Sequence, residues 1–483
     1  MCTRTPQYCT RCTPDLDSIM SLQQPIQGGI ALKKLSLLLV SLIMVLSVTA
    51  CGGNNGNNSA ATNGSADPAA TEGGNADQPA GKAKIKFYTY KSDKPEEAIF
   101  QAVEAYNKAQ DKVEVEYVSL VQNSDSTEFM KKLDIMVAGG EVVDVFMTGN
   151  EDELMERASR GVVEPLNSYF EKEGVTPEDE YFKVLKLDDK VYGLMPSSTQ
   201  WFTIFNKNYL EEAKLTLPEM GWTWDDFRDY AKKLTTKEHY GTYFHTWGEY
   251  ADIIAYTERP HPQLDADLKP IFNDPSFEYF FNLRRVMEQE DKSVEPYADV
   301  LASNYHVLQQ FFAGKAAMLA VPSYAVRATL NLEKFPHDFQ TMYAPLPRSV
   351  DSKDIGMTNI AGGGLAMGAK SENKEAAYDF IRWMSKESYK YTKEIPAFKG
   401  VDGAALVKEF FGENENLIDT VSLSKTLFDT RIKMPDTFSV PYGSELKTIV
   451  ENGFTSYMLD NRKFDEVKQE MTTEVEKVVE SNK

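Results

Sequence analysis

The sequence feature that most constrains the fold is an alternation of strand-like and helix-like segments that begins at Lys84. The strand-like segments alternate polar and apolar residues or are continuously apolar: residues 84–90, 113–120 and 142–147. The helix-like segments repeat apolar residues at helical spacing: residues 95–109 and 126–140. A strand–helix–strand–helix–strand order predicts right-handed βαβ units and a largely parallel sheet. We therefore predict an α/β protein.

Later segments extend this pattern over the rest of the chain. Residues 191–210 are mostly β-prone, and residues 223–235 predict a helix that begins with a capping box at Thr223 and Asp226. Residues 373–389 and 464–480 are amphipathic and predict two more helices. The 483 residues are enough for two hydrophobic cores.

A basic, then apolar, then small-residue series near the N-terminus predicts a secretion signal. Two lysines precede an apolar run at residues 35–50, which is shorter and more polar than a membrane-spanning helix of about twenty residues. The run ends in VTAC, residues 48–51, which resembles the lipobox of bacterial lipoproteins. That resemblance implies cleavage before Cys51 and a lipid on its sulfur, which would anchor the protein outside the cytoplasm, in a Gram-positive-type envelope. A plain transmembrane anchor is the alternative.

The segments around this signal predict no folded structure of their own. Cys9 and Cys12 have CxxC spacing, but no second cysteine or histidine pair accompanies them, and residues 1–50 would be removed with the signal. Residues 52–83 are rich in Gly, Asn, Ala and Ser and predict a flexible tether. With Cys51 as the remaining cysteine, no intrachain disulfide is predicted.

Charge and motif content exclude several classes of function. The formal net charge of −21 argues against a nucleic-acid partner, which requires clustered Lys and Arg. The chain has no GxSxG motif, no HExxH motif, and five histidines without metal-ligand spacing. We therefore predict no catalytic residues, no metal and no cofactor.

Six local patterns, in this order, resemble the extracellular solute-binding proteins of sugar ABC transporters, the maltose-binding-protein-like group. The most specific is residues 192–235, with a Gly-x-x-Pro strand, an aromatic-Asn-Lys step, and then Pro, Trp and a helix. The others are residues 136–149, 272–290, 311–326, 362–385 and 394–400. The resemblance covers residues 84–483.

The resemblance implies two α/β lobes, each with a mainly parallel sheet flanked by helices, joined by a hinge that the chain crosses several times. The crossings are expected near residues 199–203, near 360–363 and after Tyr391. The implied first lobe is residues 84–199 with 361–392, and the second is residues 200–360 with 393–483. A carbohydrate, two permease subunits of an ABC importer and the membrane are the implied partners, and the protein is expected to be a monomer.

A carbohydrate site needs aromatic faces together with side chains that donate and accept hydrogen bonds. Carried over from the family, the predicted ligand-binding residues are Tyr90, Ser92, Asp93, Asn150, Glu151, Trp201, Trp247, Tyr324, Arg327 and Gly363. Many family members carry Trp where this chain has Tyr324, so its ligand is expected to differ. Packing roles are predicted for Asp144, Trp222, Trp224 and Trp383.

Two other functions fit the same sequence. A secreted glycoside hydrolase needs two carboxylates across a cleft, and an acidic chain supplies such pairs by chance. A ligand-presenting subunit of a sensor or an adhesin would share the same cleft. Within the favoured class, the number of aromatic residues favours an oligosaccharide, with peptides and other polyols as alternatives.

Overall fold

The computed structural model describes residues 82–122, 124–303, 305–429 and 431–483. The predicted signal, the predicted lipidation site at Cys51 and the predicted tether up to residue 81 lie outside the described residues. No helix of the described part of the chain is long and apolar enough to cross a membrane.

The strands, in chain order, are β1 Ala83–Thr89, β2 Val113–Ser119, β3 Val145–Met147, β4 Leu185–Leu187, β5 Lys190–Leu194, β6 Thr199–Asn206, β7 Tyr240–Thr242, β8 Ala316–Pro322, β9 Thr341–Pro345, β10 Ile360–Ala361 and β11 Leu365–Met367. The helices are α1 Ala98–Ala109, α2 Ser126–Ala138, α3 Glu151–Ser159, α4 Asn167–Glu173, α5 Pro177–Glu180, α6 Lys207–Glu212, α7 Trp224–Leu234, α8 Ile253–Glu258, α9 Pro275–Gln289, α10 Tyr297–Ser303, α11 Gln309–Phe312, α12 Tyr324–Thr329, α13 Lys374–Glu387, α14 Tyr389–Thr392, α15 Gly403–Phe411, α16 Thr420–Phe428, α17 Gly443–Leu459 and α18 Phe464–Ser481. Single 3₁₀ turns lie at Gly248–Tyr250 and Gly412–Asn414.

Two sheets organise these elements, and the two-lobe α/β prediction is confirmed. The first sheet has the order β2-β1-β3-β11-β5-β4, and the second has the order β10-β6-β8-β7 with β9 also paired to β6. We call the elements packed on the first sheet the first lobe and those packed on the second sheet the second lobe. The predicted βαβ units are present, because β1 pairs in parallel with both β2 and β3.

The sheets are mixed rather than mainly parallel, which corrects the prediction in this detail. In the first sheet β11 and β4 run against the other strands, and in the second sheet β6 runs against β8, β9 and β10. The connection between β4 and β5 is only residues 188–189, and so short a connection can join antiparallel strands only. Strand alternation along the sequence does not report such pairings.

Each lobe has its own apolar core. The first core surrounds β1, β3 and β11 and includes Phe87, Phe146 and Phe380, all fully buried. The second surrounds β6 and β8 and includes Phe202 and Leu319. A third cluster joins α17 and α18 to α9, through Phe281 against Phe454 at 4.9 Å between ring centroids, and so attaches the C-terminal helices to the second lobe.

The α7 helix shows how a local motif defines an element boundary. Thr223 Oγ1 accepts a hydrogen bond from the Asp226 backbone N–H at 3.2 Å, and Asp226 Oδ2 accepts from the Thr223 backbone N–H at 2.8 Å. These bonds form the predicted capping box and satisfy donors at the helix start that have no partner within the helix. Trp224 and Phe227 then lie in the second core.

The three predicted hinge segments lie side by side. Strand β10 pairs with the start of β6, Ile360 opposite Gln200, and the Ser198 N–H donates to the Ile395 carbonyl at 2.7 Å. The chain contacts the first lobe again after the third segment, since the Phe398 ring lies 6.0 Å from that of Tyr181. The predicted lobe boundaries remain a proposal.

Candidate functional site

Two cavities are lined by residues of both lobes and flank the hinge segments. The first, which we call the basic cavity, has a volume of about 520 Å³ and is lined by Lys91, by residues 197–199, by α12 and by residues 393–395, among others. The second, the acidic cavity, has a volume of about 410 Å³ and is lined by the start of α3, by residues 359–362 and by α17, among others. Both volumes fall in the range of small-molecule sites, about 300–1,000 Å³.

The basic cavity collects cations from separate parts of the chain. Lys91 follows β1, Arg327 lies on α12, Lys334 lies beyond α12, and Lys393 ends α14 with a left-handed φ of 55°. The carboxylate that faces them is Glu394, whose Oε1 lies 3.6 Å from Arg327 Nη1. Four positive groups therefore share one cavity with one negative group.

An aromatic pair adjoins the basic cavity. Tyr324 lines this cavity, and its ring centroid lies 6.4 Å from that of Trp247. Trp247 is 39 % exposed, whereas Trp201, Trp222 and Trp224 are buried. The next two residues, Gly248 and Glu249, line the acidic cavity. The Trp247–Tyr324 pair therefore lies between the two cavities.

The acidic cavity holds five carboxylates, from Glu151, Asp152, Glu249, Asp252 and Glu451. Most of them have partners in the fold. Glu151 accepts from Lys183 Nζ at 2.6 Å and from Ser439 Oγ at 2.5 Å. Glu249 forms an ion pair with Lys447 at 2.5 Å, and Asp252 accepts from Gln263 Nε2 at 2.7 Å.

Burial is the main cause of the pKa shifts of three residues that line this cavity. It raises the pKa of Asp152 to about 6 and that of Asp252 to about 8, and neighbouring carboxylates add to both shifts. Burial also lowers the pKa of His261 to about 4, and its ring stacks on Phe438 at 5.0 Å. Asp152 is closely packed, because a Cβ placed on Gly443 would lie 2.3 Å from its Oδ1.

The predicted site residues divide between these regions. Tyr324 and Arg327 line the basic cavity, and Asn150 and Glu151 line the acidic cavity, where the Asn150 side chain also caps α3 by accepting from the Glu153 N–H at 2.9 Å. Trp247 lies between the cavities.

Tyr90 lies at the C-terminal end of β1, beside Lys91 of the basic cavity. Its ring lies 6.1 Å from that of Phe129, and Lys91 Nζ lies 4.8 Å from its centroid. Burial, and then the Glu153 and Glu394 carboxylates, raise the pKa of its hydroxyl. Glu394 belongs to the basic cavity, so the first lobe also contributes a ring near that cavity.

Besides Tyr90 and Trp247, four predicted site residues line neither cavity. Trp201 is 4 % exposed, and its ring packs edge-on against those of Tyr250 and Tyr256, because its β6 position points into the second core. Gly363 lies against the first lobe, where a Cβ would meet the Thr148 carbonyl oxygen at 1.7 Å, so this glycine permits a close backbone approach. The other two, in the loop after β1, are Ser92 and Asp93.

The residues that were predicted to pack do so. Asp144 is buried and accepts from Ser371 Oγ at 2.5 Å and from the Lys86 N–H at 3.0 Å. Trp222 and Trp224 lie in the second core, and Trp383 packs edge-on against Tyr106 at 5.4 Å.

Sequence reasoning found one charged residue of each cavity, Glu151 and Arg327, and missed the other charged residues that line them. Lys91 and Lys393 lay within or beside segments already singled out, and a count of charges per loop would have found Lys91. Asp252, Glu249 and Lys447 carry no local signal, because nothing in their neighbourhood distinguishes them from other surface charges. No group of three or more potential metal ligands occurs among the residues that the structure describes.

The fold and the two interlobe cavities define a two-lobe binding protein. Residues 92–391 match the family model of bacterial extracellular solute-binding proteins, and the chain belongs to this family. Family membership implies an extracytoplasmic location. The sequence matches no curated protein.

Solved structures of such proteins share the fold. A sugar transporter from Rhizobium etli in an open conformation matches with a TM-score of 0.70 and 20% identity, over 82% of this chain and 99% of that chain. An ABC substrate-binding protein from Listeria monocytogenes, in complex with cycloalternan, matches with a TM-score of 0.65 and 20% identity, over 82% and 99%. A Mycobacterium tuberculosis protein in complex with glycerophosphocholine matches with a TM-score of 0.63 and 17% identity, over 83% and 100%. These are binding proteins rather than enzymes.

Proposed function

We propose that this chain is the membrane-anchored substrate-binding receptor of an ABC importer, and that it captures a carbohydrate between its lobes and delivers it to the permease. The observation that carries the proposal is the Trp247–Tyr324 pair between two polar interlobe cavities. An exposed ring beside hydroxyls, amides and charges suits a sugar, which presents apolar C–H faces and a rim of hydroxyls.

The relatives support this ligand class. The Listeria monocytogenes protein was solved with cycloalternan, and others of similar fold were solved with maltose and with D-mannitol. Together, the two cavities and the aromatic pair between them offer more space than a single sugar ring needs. This favours an oligosaccharide.

Hinge closure is the proposed mode of capture. The hinge segments lie between the cavities, and each cavity is lined from both lobes. A ligand shifts an open–closed equilibrium only by its different affinity for the two states. Contacts from both lobes supply such a difference, because they are complete only when the lobes close.

Binding without turnover tests the receptor proposal. The purified protein is applied to a glycan array, and the affinity for each glycan that binds is measured by calorimetry, with an expected Kd in the micromolar range or tighter, about −8 kcal/mol. After prolonged incubation the glycan should be recovered intact. Failure to bind any glycan would contradict the carbohydrate assignment.

The acidic cavity is the observation that favours a glycoside hydrolase as a second candidate. Asp152, with its raised pKa, lies beside Glu151, and two neighbouring carboxylates in a cavity are the arrangement that a glycoside hydrolase uses. Against this, Glu151 already binds Lys183 and Ser439, and Asp152 is packed against Gly443. Cleavage of a glycan that is abolished in Asp152→Asn would establish the hydrolase.

The proposed membrane anchor is tested separately. If Cys51 carries the lipid, Cys51→Ala should leave the protein unprocessed or release it from the membrane. Normal processing and membrane retention of this variant would contradict the anchor and leave the ligand proposal unaffected.

A further inference from the structure

We propose that the carbohydrate bound by this chain is anionic, and that its carboxylate, sulfate or phosphate group lies in the basic cavity. This inference rests on the proposed function and narrows it to one class of ligand. The three groups share the relevant chemistry, which is a negative charge spread over two or more acceptor oxygens.

The first argument is that the cations of this cavity lack counter-charges. Arg327 forms an ion pair with Glu394, whereas Lys91, Lys334 and Lys393 form no ion pair with any described carboxylate. Their ammonium groups lie instead over the rings of Tyr90, Phe335 and Phe410, at 4.8, 5.2 and 4.3 Å from the centroids. The chain has 73 acidic and 52 basic residues, so a cavity with four cations and one carboxylate is opposite in sign to the protein around it.

Exposed lysines are ordinarily solvated and need no ligand to explain them. These cations differ because they come from separate segments of the chain and from both lobes. Lys91 belongs to the first lobe, Arg327 and Lys334 belong to the second, and Lys393 lies in the third hinge segment. Bringing like charges to one concave surface costs Coulomb energy, which an anion in the cavity would offset.

Hydrogen-bond donors reinforce the argument from charge. Tyr324 lines the cavity, and its hydroxyl is buried and has no hydrogen-bond partner among the described residues. A buried hydroxyl without a partner costs free energy that an acceptor oxygen would recover. The side chains of Ser197 and Thr199 line the same cavity and add two more possible donors.

The arrangement also gives the anion a part in closure. In the closed form without ligand, the cations of the two lobes face each other across the cavity and repel. An anion between them converts this repulsion into attraction from both sides, so it binds the closed form more tightly than the open form. A sugar with an anionic group would therefore shift the equilibrium toward the closed form more strongly than the same sugar without its charge.

The test is a glycan array that carries neutral, uronic-acid, sulfated and phosphorylated glycans, probed with the purified full-length protein. The variants are Lys91→Gln, Lys393→Gln and Lys334→Gln, each compared with Lys112→Gln. Lys112 is exposed and precedes β2, so it lies at the opposite edge of the sheet from Lys91, which follows the parallel strand β1. The control removes the same charge from the lobe that carries Lys91, away from the cavity.

We expect anionic glycans to bind and neutral analogues to bind less tightly. Each cavity variant should raise the Kd for the anionic glycan roughly tenfold or more, since a charge-assisted hydrogen bond contributes about that factor. Lys112→Gln should leave it unchanged. The affinity of the unaltered protein should also fall as NaCl rises from about 0.05 M to about 0.5 M, because salt screens the attraction. Comparison of the uronic-acid, sulfated and phosphorylated glycans on the array then shows which anionic group the cavity binds.

Other outcomes overturn the inference in distinguishable ways. Binding of neutral glycans alone, with unchanged affinity in the cavity variants, refutes the anionic ligand and leaves the receptor proposal standing. Binding of anionic glycans that responds equally to Lys91→Gln and to Lys112→Gln refutes the assignment to the basic cavity. Binding of no glycan of any class refutes the carbohydrate assignment on which this inference rests.

Discussion

The acidic and basic cavities are similar in size and are both lined by the same two lobes. They differ in whether their charged side chains have partners within the protein. In the acidic cavity Glu151 and Glu249 have lysine partners, and Asp252 has an amide partner. In the basic cavity three of the four cations have no carboxylate partner among the described residues. Charges that the fold already satisfies contribute to stability, and charges that it leaves unsatisfied are available to a ligand. The comparison predicts that substitutions in the acidic cavity change stability, whereas those in the basic cavity change binding.

The largest effect is expected for Asp252→Asn. Burial raises the pKa of Asp252 to about 8, against about 3.9 for an aspartate in an unfolded chain. Between these values the folded state binds a proton that the unfolded state lacks, so stability falls as the pH rises. Asparagine keeps an acceptor for Gln263 and cannot ionise. We expect the variant to be more stable by about 5 kcal/mol at pH 8, because the gap widens by up to about 1.4 kcal/mol per pH unit above pH 4.

Urea unfolding of both proteins from pH 4 to pH 8 measures this gap. Asp93→Asn is the matched control, because Asp93 is exposed and the same chemical change should there leave stability nearly constant. Two stability curves that run parallel over this pH range would show that Asp252 is ionised in the folded protein.

The next effect concerns the ring between the cavities. Trp247→Ala should weaken ligand binding roughly tenfold to a hundredfold, because a stacked ring contributes about 1–3 kcal/mol. The melting temperature of this variant without ligand should differ little from that of the unaltered protein, since Trp247 is 39 % exposed. Trp224→Ala is the contrasting variant, because Trp224 is fully buried and its loss should cost about 3–5 kcal/mol of stability. A large drop in melting temperature with unchanged affinity would assign Trp247 to the core.

A smaller effect is expected at Lys447, the cation of the acidic cavity on α17. Lys447→Met leaves Glu249 without its partner and removes a positive charge near Asp152 and Glu451. We expect a loss of about 1–2 kcal/mol of stability at pH 7, less than for a fully buried pair because the side chain is partly exposed. The double variant Lys447→Met with Glu249→Gln should recover part of the loss. No recovery would mean that the loss in Lys447→Met does not come from leaving Glu249 without its partner.

The smallest effect on stability is expected in the basic cavity. Lys334→Gln should change the free energy of unfolding by less than about 0.5 kcal/mol, because no described carboxylate pairs with Lys334. Its value lies in the contrast with Lys447→Met, measured by the same urea titration. A loss as large as that of Lys447→Met would remove the distinction between the two cavities.

Much of the fold was predictable because its signals are local. The period of apolar residues identified β1, α1, β2 and α2 to within a few residues, and the capping box identified the start of α7. The sheet order was less accessible. Strand β11 enters the first sheet between β3 and β5, far from either in sequence, and no periodicity reports such a neighbour.

Sequence reasoning identified residue types of the candidate site but only part of its geometry. Trp247 and Tyr324 were singled out as rings, and they lie 6.4 Å apart. Trp201 was singled out on the same grounds and lies in the second core, because alternation along β6 does not show which face of the strand is covered. The two cavities were not predicted, because their charges come from segments hundreds of residues apart in the chain, such as Lys91 and Lys393.

The sequence by itself determined the two α/β cores, and its motifs carried the resemblance to extracellular solute-binding proteins. These features depend on short-range periodicity and on motifs within a few residues of one another. Only the tertiary structure decided which charges are satisfied. Whether Lys447 has a carboxylate partner and Lys91 has none depends on contacts between elements distant in sequence, and electrostatic free energy depends on those distances and on burial rather than on composition.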